Sequence, residues 1–132
     1  MNLMDIVTWL QGQDNDLIEC VSAGCIDGNK KKWIGVYHAK RTVKQRMCIG
    51  GAEMTGYGEK YISLLVHWTE KPVEAEKKAS KIQSLFYGVS NTLMGSTHVI
   101  LADPGPPIPV GKDNKGIYEY IIEIKMTYER VE

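Results

Sequence analysis

Three histidines (His38, His67, His98) and three cysteines (Cys20, Cys25, Cys48) are the side chains of this chain best suited to metal binding or nucleophilic chemistry. Zinc sites usually draw ligands in short pairs, because a small step along the backbone presents two donors to one ion. No such pair occurs here. The histidines therefore read as core or edge residues, and the cysteines as structural thiols, an odd set that argues against a disulfide framework. The glycine-rich stretch 50–60 lacks the GxxxxGK[ST] order and the strand-to-helix setting of a phosphate cradle, so it reads as a mobile loop. No GxSxG, HExxH or kinase-type motif is present, and no carboxylate pair has its placement fixed by spacing. The expectation is no catalysis, no cofactor and no metal; in an enzyme reading the candidates would be His67 or Cys48.

One cluster stands out. Residues 28–52 hold Lys30, Lys31, Lys32, Lys40, Arg41, Lys44 and Arg46 with no Asp or Glu, and Trp33 and Tyr37 lie among them. Such a span can contact phosphates, and repeated around a ring axis it would build a strong local field. The alternative is a solvated surface, or one matched to the acidic face of Glu119, Glu123 and Glu129 on a neighbouring subunit, and this is favoured. The chain as a whole is formally neutral, with 16 basic and 16 acidic residues, so bulk charge points to neither nucleic acid nor membrane. No run of apolar residues is long enough to span a bilayer and no signal-peptide pattern opens the chain, so a soluble protein made in the cytoplasm is expected.

The elements that must position these residues follow from periodicity. At 132 residues a single domain over 1–132 is expected. Leu3, Ile6, Val7 and Leu10 predict a short helix capped by Asn2 and ending near Gly12. Residues 17–21 and 33–38 read as two strands of a hairpin with Lys30, Lys31 and Lys32 near its tip. Residues 39–59 read as an irregular arm and loop. Ile62, Leu64, Val66 and Trp68 alternate on one strand face. Ala75, Ala79, Ile82, Phe86, Val89 and Leu93 then recur at helical spacing, with Pro72 in the first turn and Gly95 as the stop. Residues 97–102 form a nearly continuous apolar strand, expected to be covered on both faces.

Residues 103–116 carry four of the five prolines, including Pro106, Pro107 and Pro109 around Ile108, and read as an extended, semi-rigid loop outside any ladder. The stretch 117–129 alternates Tyr118, Tyr120, Ile122, Ile124, Met126 and Tyr128 with Glu119, Glu123, Lys125, Thr127 and Glu129, which predicts the longest strand. A strand of that length should overhang its core and offer an edge to another copy. The predicted class is α/β (α+β): a mixed sheet of about four to six strands flanked by an N-terminal helix and one long amphipathic helix.

The helix carrying Asp5-Ile-Val-Thr-Trp-Leu10, the strand–helix–strand unit over 60–103, and above all the turn Gly111-Lys-Asp-Asn-Lys-Gly116 running into a Tyr-rich terminal strand resemble the tail terminator proteins of tailed bacteriophages. The resemblance covers nearly the full length. It implies a homo-hexameric ring in the virion that caps the head-proximal end of the tail tube, ends tube polymerisation and receives the head connector. Tube protein and connector are the implied partners, with DNA passing through the ring, and no catalytic residue is implied. The basic span over 30–46 departs from the family pattern, which is less basic there. On this reading Lys40, Arg41, Lys44, Arg46, Tyr118, Tyr120, Glu119 and Glu123 are expected at subunit contacts. Lys30, Lys31, Lys32, Pro106, Pro107, Ile108 and Pro109 are expected to meet tube or connector. The rival reading is a small nucleic-acid-binding module using the basic span.

Overall fold

Residues 2–39 and 56–129 are described by the structure, a computed structural model. Helix α1 (Leu3–Gln11) begins with a reciprocal cap: the Asn2 side chain accepts from Asp5 N–H and the Asp5 carboxylate accepts from Asn2 N–H. A 3-10 turn (Asn15–Leu17) follows, then strands β1 (Val21–Ala23), β2 (Lys32–His38) and β3 (Tyr57–Trp68). Helix α2 (Pro72–Tyr87) leads into β4 (Ser90–Met94), β5 (Thr97–Pro104), β6 (Ile108–Lys112) and β7 (Tyr118–Glu129).

The seven strands form one mixed sheet in the order β1-β2-β3-β7-β5-β4, with β6 also paired to β7. Among the described strands only β1 and β2 run parallel; the remaining pairs are antiparallel. Helix α1 touches both β1 and β4, which stand at opposite ends of that order. Nine residues of helix reach only about 13 Å, while a flat row of six strands is nearly twice as wide at about 4.8 Å per step. The sheet must therefore curl around its helices. One core results, built from Ile6, Val7 and Leu10 of α1, Ile82 and Phe86 of α2, and the inward residues Ile34, Val36, Ile62, Leu64, Val66, Ile122, Ile124 and Met126. Trp9 and Phe86 join the two helices, ring centroids 5.1 Å apart.

The predicted fold class holds, with more strands than expected. The added strand comes from the proline-rich span. Pro104 closes β5 and Ile108 and Pro109 open β6, both laid along β7, and Gly105 N–H between them donates to Glu123 O. Prolines fit there because, among the described strands, β6 pairs with β7 alone and needs donors on one side only. The expectation of a loop outside the ladder is thus overturned, and so is that of a bare β7 edge. β7 pairs with β3 from Tyr57↔Glu129 to His67↔Glu119, and with β5 and β6 on its other side.

Three further boundaries move, and one expected burial changes. Residues 17–20 finish the 3-10 helix and turn, the expected strand starts only at Val21, and β1 pairs parallel to β2, so no hairpin joins them. β3 starts at Tyr57, inside the expected loop. α2 ends at Tyr87 with Gly88 as its cap, and Gly95, with φ +63°, instead makes the tight β4–β5 turn. β5 is covered on one face: a bulge between Val99 and Leu101 leaves Ile100 and Leu101 exposed while Val99 and Ala102 are buried.

Candidate assembly surfaces

The helices cover one face of the sheet, so every second strand residue points the other way. Register places Gly35, Leu65, Ile121 and Ile108 in one line across β2, β3, β7 and β6 on that outer face. Trp33, His67, Glu119 and Gly111 form the next line, and Tyr37, Ser63 and Glu123 flank the first on its other side. A groove of about 370 Å³ opens there, lined by Tyr37, His38, Ser63, Leu65, Ile121 and Glu123. Gly35 is required beneath Tyr37: a Cβ at that position would lie 2.6 Å from the tyrosine ring.

The subunit-contact candidates from β7 therefore divide between two faces. Tyr118 and Tyr120 turn to the helix side and pack against the core, Tyr118 with the Lys112 ammonium 5.6 Å from its ring centroid. Glu119 and Glu123 lie on the outer face. Glu123 is exposed; Glu119 is engaged by His67. Lys40, Arg41, Lys44, Arg46 and Cys48 fall outside the described residues.

Lys30, Lys31 and Lys32 sit where β2 begins and β3 ends, beside the turn before β7, rather than at a hairpin tip. Lys31 pairs with Glu70 at 3.2 Å in the open, a contact worth little. The Lys32 ammonium stands 5.5 Å from the Trp68 ring centroid. Pro106, Pro107, Ile108 and Pro109 lie elsewhere, beside the middle of β7, where Ile108 is 47 % exposed.

Two polar clusters escaped the sequence because their members are far apart along it. Asp14 receives both Lys81 (2.6 Å) and Lys78 (3.2 Å), and Lys78 is buried with its ammonium 4.7 Å from the Trp68 ring centroid. The Lys81 ammonium, with the Asp16 N–H, holds the Asp14 carboxyl well below the usual carboxylate range. The second cluster surrounds His67, which is 1 % exposed. Its Nδ1 is 3.1 Å from Glu119 Oε2 and its Nε2 3.1 Å from Lys30 O and 3.7 Å from Asp113 Oδ2. Asp113 also accepts from the Ile117 and Lys115 N–H groups, which together hold its carboxyl below the usual range. The only sequence signal for either cluster was phase: His67 falls opposite the Ile62, Leu64, Val66 and Trp68 face.

Among the described residues no three of His, Cys, Asp and Glu gather as metal ligands, and no helix is long and apolar enough to cross a membrane. The described residues form an α+β fold of two helices and a curled mixed sheet. The sequence matches the bacteriophage tail terminator protein family over residues 9–130, nearly the whole chain, and the chain belongs to that family. It is thus a structural protein of phage tail assembly. A search of curated proteins finds no match. One solved structure, 15 % identical, covers 96 % of this chain and 87 % of its own with a TM-score of 0.48, a likeness with no bearing on function.

Proposed function

We propose that this protein assembles as a homo-hexameric ring that caps the tail tube at the head-proximal end of the virion, halts tube growth and forms the surface to which the head connector joins. The family match over residues 9–130 carries this reading. Pairing between subunits joins the basic residues Lys40, Arg41, Lys44 and Arg46 of one copy to the outer sheet face of the next, where the exposed Glu123 supplies the opposite charge beside the His67-bound Glu119. Tyr118 and Tyr120 support that face from beneath. Because β7 is paired on both sides within its own chain, the contact is made by side chains and not by strand addition at β7.

Lys30, Lys31 and Lys32 at the loop end of the sheet, and Pro106, Pro107, Ile108 and Pro109 beside β7, contact tube or connector. They occupy separate places in the sheet, so each can serve its own partner. The prolines suit this role because a preset backbone loses little entropy on docking. The test is the native mass of the protein with and without tail tube protein, followed by imaging. A sixfold ring that forms on the tube is expected; a monomer that ignores the tube overturns the reading.

A further inference from the structure

The loop end of the sheet is closed by three connections. Thr69 N–H donates to Lys31 O at 2.7 Å and Tyr118 N–H donates to Thr69 O at 3.1 Å. Lys115 Nζ donates to Gly28 O and Asn29 Oδ1 at 3.3 and 3.0 Å. His67 joins the loop before β2, through Lys30 O, to the start of β7, through Glu119. Thr69 holds φ +50°, a left-handed conformation that costs a β-branched residue energy and persists only where its surroundings impose it.

The donors and acceptors at His67 fix its protons. A backbone carbonyl only accepts, so Nε2 must carry a hydrogen to bond Lys30 O. An ionised carboxylate also only accepts, so Nδ1 must carry one to face Glu119 Oε2 at 3.1 Å. A neutral ring would set two lone pairs against each other, out of water, at hydrogen-bonding distance. The charged groups around the ring favour the cation. β7 brings Glu119, the turn before it brings Asp113 at 3.7 Å, and β2 places the uncharged Trp33 beside it. The nearby ammonium groups are engaged elsewhere, Lys31 on Glu70 and Lys115 on Gly28 and Asn29.

We infer that His67 is held as an imidazolium bridging Glu119 and the Lys30 carbonyl, and that this proton, together with the Lys115 bridge, fastens the loops 27–31 and 113–117 to each other. Loss of the proton releases Glu119 and loosens the end that carries Lys30, Lys31 and Lys32. His67 is thus a positioning residue for that end; the consequence for docking rests on the ring reading above, whereas the lock does not.

The test uses the full chain. Side-chain ¹⁵N NMR should show both His67 nitrogens protonated at neutral pH. Amide protection in 27–31 and 113–117 should fall by up to about tenfold per pH unit as the ring deprotonates, while the β3–β7 ladder stays protected. In Glu119→Gln the amide can donate to Nδ1, a neutral ring is satisfied, and that pH dependence should vanish with the fold intact. A singly protonated ring at neutral pH, or pH dependence retained in Glu119→Gln, overturns the lock. Failure to form rings overturns only the assembly reading, because the NMR and exchange measurements are made on the chain whether or not it assembles.

Discussion

Asp14 concentrates more consequence than its place in a polar stretch of the sequence would imply. It balances Lys78, which is buried against Trp68, and Lys81, which is not. Asp14→Ala strands a buried ammonium and should cost about 3 kcal/mol in urea denaturation, with Lys81→Ala costing far less. The sign with pH follows from the depressed carboxyl: a group held below its unfolded value of about 3.9 stabilises the fold above that pH and loses its contribution as pH falls through the lower folded value. Melting temperature in wild type should therefore drop more steeply below about pH 4 than in Asp14→Asn. Gly58 sets a second residue-level constraint. A Cβ there would meet the Tyr128 ring at 2.6 Å, across the β3–β7 ladder, so Gly58→Val should cost about 1–3 kcal/mol.

At the level of elements, β7 is the spine: it takes β3 on one side and β5 then β6 on the other. Amides in the β3–β7 ladder should exchange last. Ile122→Ala, a full truncation in the core, should cost about 2–5 kcal/mol, whereas Ile108→Ala on the exposed edge should leave denaturation nearly unchanged. Periodicity alone revealed α1, the body of β2 and β3, the first four turns of α2 and the whole of β7, because each buries one face and repeats accordingly. It failed where continuity misled. Val89 and Leu93 stay in helical phase beyond Gly88, yet Val89 is buried in a connection and Leu93 is exposed on β4. Pro106, Pro107 and Pro109 forbid an interior strand and say nothing against an edge one. The parallel pairing of β1 with β2 carries no local signal at all. Among the candidate contacts, the positions of Lys31 and Glu123 at the surface were legible, while the engagement of Glu119 by a buried histidine required three distant segments to meet.

For the whole molecule, membership of the tail terminator family and the curled sheet together bear on how copies meet. A ring that closes needs one patch on each copy to fit a different patch on the next, and in the ring proposed above Glu123 on the outer face and the basic residues of the next copy are that non-identical pair. Reversing the charge of Glu123 to Lys should weaken ring formation on the tube, and a compensating Arg46→Glu in the same chain should restore it; native mass spectrometry reads both. The proline in β6 has one more effect, on the protein before it meets any tube. An exposed strand with a full row of donors invites indiscriminate stacking into fibrils. Pro109 has no N–H to give and the adjoining bulge at Gly111 breaks the repeat, so this margin of the sheet makes a poor template. Pro109→Val should leave the melting temperature within a few degrees yet raise light scattering on prolonged storage at high concentration, making that proline a guard on shelf life.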